Sequence, residues 1–270
     1  MTAGASRIAR FVARHRRNRI LAKLATVARR YLEWHGNFDY DGVTNGEHRV
    51  LRTLAAFAPR VLVDVGANVG EWSLAAARLC PSATVHAFEV SPITFETLAA
   101  NTAGEPRITC HAAGLGESAG EVKLRHYDSA PALTTASGYP HALPFREIVA
   151  RVAAGDEEAA RLGIGHIDLL KIDVEGMEEQ VLRGFGRLLA SRSIDLVQFE
   201  YGRVNILNGF LLHRCGAFFA ERGYAMGKIY PDYVDFREPA LEDEDFLGPN
   251  YLACRADRGD LLAALGGRPG

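Results

Sequence analysis

Past Tyr31 the chain alternates short apolar runs with stretches whose apolar residues recur every three to four positions, the pattern of strands separated by packed helices. The runs "RVLVDVG" (60–66), "TVHAFEV" (84–90), "RITCHAAG" (107–114), "IDLLKIDV" (167–174) and "IDLVQFEY" (194–201) read as strands, with "EVKLRHY" (121–127) as an additional edge segment. Helical periods fill the gaps in "GEWSLAAARL" (70–79), in "PITFETLAANT" (92–102), whose leading proline suits a first helical turn, and in "MEEQVLRGFGRLLAS" (177–191). The order βαβαβ predicts an α/β domain built on a mostly parallel, twisted sheet with helices on both faces.

After Gly202 the pattern changes to a helix around 207–222, a strand at 223–230, an acidic polar loop and a last strand at 249–256. No crossover helix separates those two strands, so they are predicted to close the sheet as a terminal antiparallel hairpin. The stretch 128–145, rich in Ala, Pro, Ser and Thr, is the longest loop inside the domain. Loops of that length are usually lids or disordered segments.

With 270 residues and 48% hydrophobic content the chain can bury one sizeable core. The reading is a single domain over 36–270, preceded by an arm over 1–35. A formal net charge of −2 gives no global attraction to nucleic acid, so any basic surface is local. The arm is such a surface: Arg7, Arg10, Arg14, Arg16, Arg17, Arg19, Lys23, Arg29 and Arg30 precede or flank a single acid, Glu33. Ile8, Phe11, Val12, Ile20, Leu21, Leu24 and Val27 fall at helical spacing, which predicts one basic amphipathic helix or two short ones. Such an element packs on its own domain, lies on an anionic membrane or binds a polyanionic carrier. Cys80, Cys110, Cys215 and Cys254 form no C-x-x-C pair and read as buried thiols of a reducing compartment. With no run of 18 apolar residues and no secretory pattern, a cytoplasmic location is expected.

The turn after the first strand, Asp64-Val65-Gly66-Ala67-Asn68-Val69-Gly70, lacks the G-x-G-x-x-G that seats a pyrophosphate. An acid two residues before the first glycine suits a ligand with a cationic amino-acid end, as S-adenosylmethionine has. Glu89, at the end of the second strand, stands near the offset at which an acid takes ribose hydroxyls. The alternative is that Asp64 merely caps the turn and Glu89 starts the next helix.

Together "DVGANVG", "FEVSPITFETLAAN", "HAAGLGESAGEVKL" and "IDLLKIDVEGMEEQVLRG" resemble the FkbM-type family of S-adenosylmethionine-dependent methyltransferases. The resemblance implies a Rossmann-like class I methyltransferase fold and O-methylation of a hydroxyl on a sugar, polyketide or glycolipid, in secondary metabolite or envelope biosynthesis. It places Asp64, Gly66, Ala67, Asn68 and Gly70 at the methionine end, Glu89 at the ribose, and Ala113 and Gly114 beside the adenine, with Val90 also among the cofactor-binding residues. Nucleic acid is not the expected acceptor, since the N/D-P-P-Y/F signature of amino-methylating enzymes is replaced by "DVEG". Methylation of a nitrogen or of nucleic acid, and a non-catalytic S-adenosylmethionine-binding module, are the remaining alternatives.

Methyl transfer from a sulfonium needs positioning and removal of the acceptor's proton. Asp173 and Glu175 stand two apart at the end of the fourth strand, so on extended backbone they project the same way, toward Glu200 at the end of the fifth. One carboxylate serves as general base, or the three hold a divalent cation such as Mg²⁺. His141, in the long loop, is a further candidate base and His126 competes with it; His86 reads as packing. The structural alternatives are an ion pair of Lys171 with Asp173, a helix cap from Glu175 and a pairing of Glu200 with Arg203. Phe210, Phe218, Phe219, Tyr230, Tyr233 and Phe236 either line an acceptor pocket or belong to the core.

Overall fold

The computed structural model describes residues 3–137, 139 and 141–267. From the N-terminus, α1 (Ala3–Arg14) and α2 (Arg19–His35) form the arm, and α3 (Glu47–Ala55) leads into β1 (Val61–Val65), α4 (Glu71–Leu79), β2 (Thr84–Phe88), α5 (Pro92–Thr102) and β3 (Ile108–His111). There follow β4 (Gly114–Gly116), β5 (Gly120–His126), β6 (Arg146–Ala154), α6 (Gly155–Arg161), β7 (Ile167–Ile172), α7 (Glu178–Gly184), α8 (Gly186–Ala190) and β8 (Ile194–Glu200). Last come α9 (Asn205–Asn208), α10 (Leu212–Ala220), β9 (Tyr224–Ile229), β10 (Val234–Phe236), β11 (Asn250–Arg255) and α11 (Gly259–Gly266).

Among the described residues the main sheet has eight strands in the order β10-β9-β11-β8-β7-β1-β2-β3. The strands from β8 to β3 are parallel, while β11 pairs antiparallel with both β8 and β9. This is the Rossmann-like architecture the sequence predicts, including its antiparallel end. The chain walks outward from β1 to β3 and then returns to β7 on the other side of β1. At that reversal an open α/β sheet leaves a crevice beyond its carboxyl strand ends.

Alternation along each strand divides the core into two layers. Leu62, Leu169, Leu196 and Leu252 pack with Leu51, Ala76 and Leu261 on one face. Their successors Val63, Leu170, Val197 and Ala253 pack with Val181, Leu182 and Phe219 on the other. Each fully buried Val or Leu stabilises the fold by roughly 1.5–3 kcal/mol over its exposed state.

Some elements differ from the sequence reading. The third strand breaks after His111, and its continuation, β4, joins β6 and β5 in a separate three-stranded sheet. Residues 121–127 therefore do not edge the main sheet; β5 pairs antiparallel with β6 along its whole length. The strand β6 was not predicted, although Ile148, Ala150 and Val152 are less exposed than Glu147, Val149 and Arg151. The helix over 177–191 divides at Phe185, and that over 207–222 divides at Gly209, which takes a left-handed φ of 67°. The cysteines are free thiols, three of them buried. The arm forms two helices, and α2 buries no residue, although its Glu33 reaches the cavity beyond the strand ends. Among the described residues no helix is long and apolar enough to cross a membrane.

Candidate active site

The glycine turn brings three elements together. Gly66, at φ 84°, has no room for a side chain, because a Cβ there would fall 1.8 Å from the backbone oxygen of Asp173. Gly70, at φ 91°, lies against Leu98 of α5 at a distance of 2.9 Å from where its Cβ would be. Between them Asn68 adopts φ 49°, a left-handed conformation that asparagine tolerates better than most residues. The amides of Gly66 and Ala67 donate to the Phe88 carbonyl, both at 2.9 Å. The Glu89 carboxylate accepts from the amides of Asn68 (2.9 Å) and Ser91 (2.8 Å), fastening the turn to the end of β2. Burial pushes the Glu89 carboxyl up to about 7 in spite of those two amides. The Asn68 Oδ1 is buried and accepts no hydrogen bond among the described residues.

Beyond the strand ends lies an open cavity of about 1210 Å³. Gly66, Asn68, Glu89, Val90 and Gly114 line it, as do Asp173, Glu175, Glu200 and His141. Ala67, Gly70 and Ala113 are not among the residues that line it. Asp64 is a clearer departure from the sequence reading. Its side chain is fully buried beneath the turn, accepting from Ser73 Oγ at 2.7 Å and lying 3.6 Å from Lys171 Nζ. The cause is register: Asp64 pairs with Lys171 across β1 and β7, so the acid turns toward that lysine and not toward the cavity.

Lys171 also lies 3.0 Å from Asp173, the ion pair the spacing suggested. Glu175 reaches the cavity by a different route from the one expected. The strand stops at Ile172, and Glu175 stands at φ 51° before Gly176 at φ 96°, so a left-handed turn, not strand alternation, aims its side chain. Burial, with Asp173 and Glu178 adding repulsion, pushes the Glu175 carboxyl up to about 8. Glu200 is raised by burial and by Asp173, against the pull of Lys171. These acids feel one another, yet they do not form a ligand set. Among the described residues the only group of three His, Cys or acid side chains whose ligand atoms all lie within 4.8 Å of one another is His166, Asp168 and Asp195, where Arg255 and Arg258 already hold Asp195. The metal grouping expected of Asp173, Glu175 and Glu200 is not formed.

Glu175 does not cap α7, whose N-cap is Met177 without a side-chain cap; Glu178, in the first turn, accepts from the Gly176 amide and from Asn205 Nδ2, both at 3.0 Å. Residues 131–136, Tyr139 and His141 of the long loop line the cavity, and Thr135 Oγ1 donates to the Glu175 carbonyl at 2.7 Å. His141 stands edge-on to Tyr127, its Nε2 buried without a partner among the described residues, and burial holds its pKa below the usual value. His126 is buried against Thr134 and Ser91 and does not border the cavity, and His86 stacks on His111 as packing. The tail aromatics Phe210, Phe218, Phe219, Tyr230, Tyr233 and Phe236 do not line the cavity; Phe38, Tyr40, Tyr139, Tyr201 and Phe246 do. Tyr40 was not singled out in the sequence. Burial, followed by the charges of Glu200, Glu175 and Asp173, pushes its phenol up to about 12.

This electrostatic arrangement has a measurable consequence. Glu89, Glu175 and Glu178 have folded-state pKa values of about 7, 8 and 7, against 4.5 when free, and burial is the first cause in each. The folded chain binds more protons than the unfolded one, so the stability these groups give is complete below pH 4.5 and is lost as pH rises through 7 and 8. Buried histidines with lowered pKa act in the opposite sense, but only below their free value of 6.5. Thermal unfolding of the ligand-free protein is therefore expected to show Tm falling from pH 6.5 to 8.5, by about 2–4 °C per kcal/mol lost. A Tm that holds level or rises across that window contradicts the burial of these carboxyls.

The Methyltransferase FkbM domain family matches residues 64–226, more than half of the chain. Curated relatives include methyltransferase sdnD of Sordaria araneosa, 31% identical over 156 residues, covering 46% of this chain and 59% of that protein. Hexuronic acid methyltransferase AglP of Haloferax volcanii is 30% identical over 161 residues, covering 58% and 64%. The 31-O-demethyl-FK506 methyltransferase FkbM of Streptomyces tacrolimicus is 33% identical over 156 residues, covering 46% and 58%. The chain thus spans about six tenths of the length of these relatives. Among solved structures, the methyltransferase FkbM of Methylobacillus flagellatus KT gives a TM-score of 0.46 at 18% identity, over 73% of this chain and 44% of that one. The family match begins at Asp64 and runs through the cavity-lining strand ends into β9, and on it the chain belongs to the FkbM methyltransferase family.

Proposed function

We propose that the protein transfers a methyl group from S-adenosylmethionine to a hydroxyl of a small-molecule acceptor of the sugar, polyketide or glycolipid class. One observation carries this reading: groups suited to a nucleoside with a cationic tail share a single cavity with a set of coupled acids. The residues present fit the cofactor. Glu89, locked by two amides, keeps lone pairs for ribose hydroxyls, and the unpaired Asn68 Oδ1 offers an acceptor to an ammonium group. Gly114 lies so close to Val90 that a Cβ would come within 2.8 Å of it, leaving a narrow strip suited to a flat base. Bound there, S-adenosylmethionine supplies an electrophilic methyl group.

The chain's own residues do the rest. Asp173, with its charge paired to Lys171, accepts a hydrogen bond from the acceptor hydroxyl and orients it. The proton passes to the acids on the cavity wall, Asp173, Glu175 and Glu200; burial has raised the proton affinity of Glu200 and has brought Glu175 up to about 8, and a general base works best with a pKa near the working pH. His141, kept neutral by burial, presents its unpaired Nε2 from the loop side as a second acceptor.

Calorimetry with S-adenosylhomocysteine tests the cofactor assignment. Glu89→Ala is expected to weaken binding by about 10- to 100-fold, the loss of hydrogen bonds to a charged group. A variant that melts like the parent and binds the product equally well would falsify the role given to Glu89. Binding of a nicotinamide dinucleotide in place of S-adenosylhomocysteine overturns the reading as a whole.

A further inference from the structure

We propose that α1 and α2 form an interfacial anchor, lying in the headgroup layer of an anionic bilayer and holding the cavity mouth at that surface. The proposal does not depend on the reaction assigned above. Ile20, Leu24, Val27, Tyr31 and Trp34 follow one another at spacings of three and four along α2, and each is more than half exposed. Arg19, Lys23 and Arg30 each stand one residue before a member of that stripe and so flank it along one edge, with Arg29 opposite it, while α1 sets Ile8, Phe11 and Val12 against Arg7, Arg10 and Arg14.

Residues 1–35 carry nine Lys and Arg and one Glu, within a chain of net charge −2. The apolar face calls for an apolar phase and the basic face for anions. A nucleic acid meets only the second need. A second copy of the chain brings the same nine cations against these. An anionic bilayer meets both needs at once, with aromatic side chains at the boundary. Continuity with the cavity fixes the consequence: Glu33 within α2, and Phe38 and Tyr40 just after it, line the cavity.

Cosedimentation of the full chain with vesicles tests this. Pelleting is expected to be at least about tenfold stronger with phosphatidylserine in phosphatidylcholine than with phosphatidylcholine alone, and to be lost at high salt. Binding is expected to shift the emission of Trp34 to the blue; Trp34 is 73% exposed, whereas Trp72, the other tryptophan, is 9% exposed. The double change Leu24→Ser and Val27→Ser keeps every charge and touches no buried residue, so it is expected to leave Tm unchanged and abolish pelleting and shift together. Equal pelleting with neutral lipid overturns the proposal, as does a dimer that the double change dissolves. So does duplex DNA binding that the double change leaves intact in the absence of any vesicle binding.

Discussion

Asp173→Asn is expected to lower kcat by about 10²- to 10⁴-fold, the usual contribution of a positioned proton acceptor, while the dissociation constant for S-adenosylhomocysteine stays within a few fold. Asp173 lines the cavity with its side chain, while its backbone is fixed separately. Its amide donates to the Val65 carbonyl at 2.9 Å and its carbonyl fills the space left by the missing Cβ of Gly66. An asparagine preserves all of this. What it removes is the charge that orients the hydroxyl and, at the same time, the repulsion that helps to raise Glu175 and Glu200. The two acids should therefore ionise at lower pH in the variant, and the acid limb of its residual pH–rate profile should move down. A merely structural role predicts neither that displacement nor intact product binding. A variant that keeps most of its rate, or whose profile stays in place, refutes the assignment.

The parts of this site that were legible in the sequence are those set by local geometry. The glycine turn announces itself because residues with φ near 84° and 91° in contact with backbone and α5 leave little choice but glycine. Glu89 is legible because the end of β2 comes next to that turn in any doubly wound sheet. What escaped detection depends on register and on long-range packing. Nothing near Asp64 shows that Lys171 will stand opposite it, so an acid that neutralises a buried lysine looked like a ligand contact. The alternation argument for Asp173 and Glu175 assumed a strand that continues to 174; it stops two residues earlier, at Ile172. Tyr40 and Asn205 come from segments far from the motifs, and only the fold carries them to the cavity wall. The strand β6 kept its periodic signal, but its mixed charges and half-exposed positions made it resemble the loop before it.

Lys171→Met is expected to destabilise the fold by about 3–5 kcal/mol, the usual cost of removing one partner from a buried ion pair. Lys171 is 7% exposed at the centre of the sheet, with Asp64 at 0% beside it. Burial alone would push its ammonium pKa down, but Asp173 and Asp64 outweigh burial and hold it above its ordinary value. Methionine fills the same space without the charge, leaving Asp64 with the hydrogen bond from the Ser73 hydroxyl. A carboxyl so placed takes up a proton, and its folded-state pKa rises. Its contribution to stability is then present below its free value of 3.8 and lost as pH climbs. Urea unfolding should accordingly show a deficit that is largest at pH 8 and shrinks toward pH 5. Adding Asp64→Asn to Lys171→Met should restore much of the loss, because a neutral amide in that position no longer needs the ammonium. A deficit below about 1 kcal/mol that does not vary with pH would mean that the pair is held by its surroundings and not the reverse.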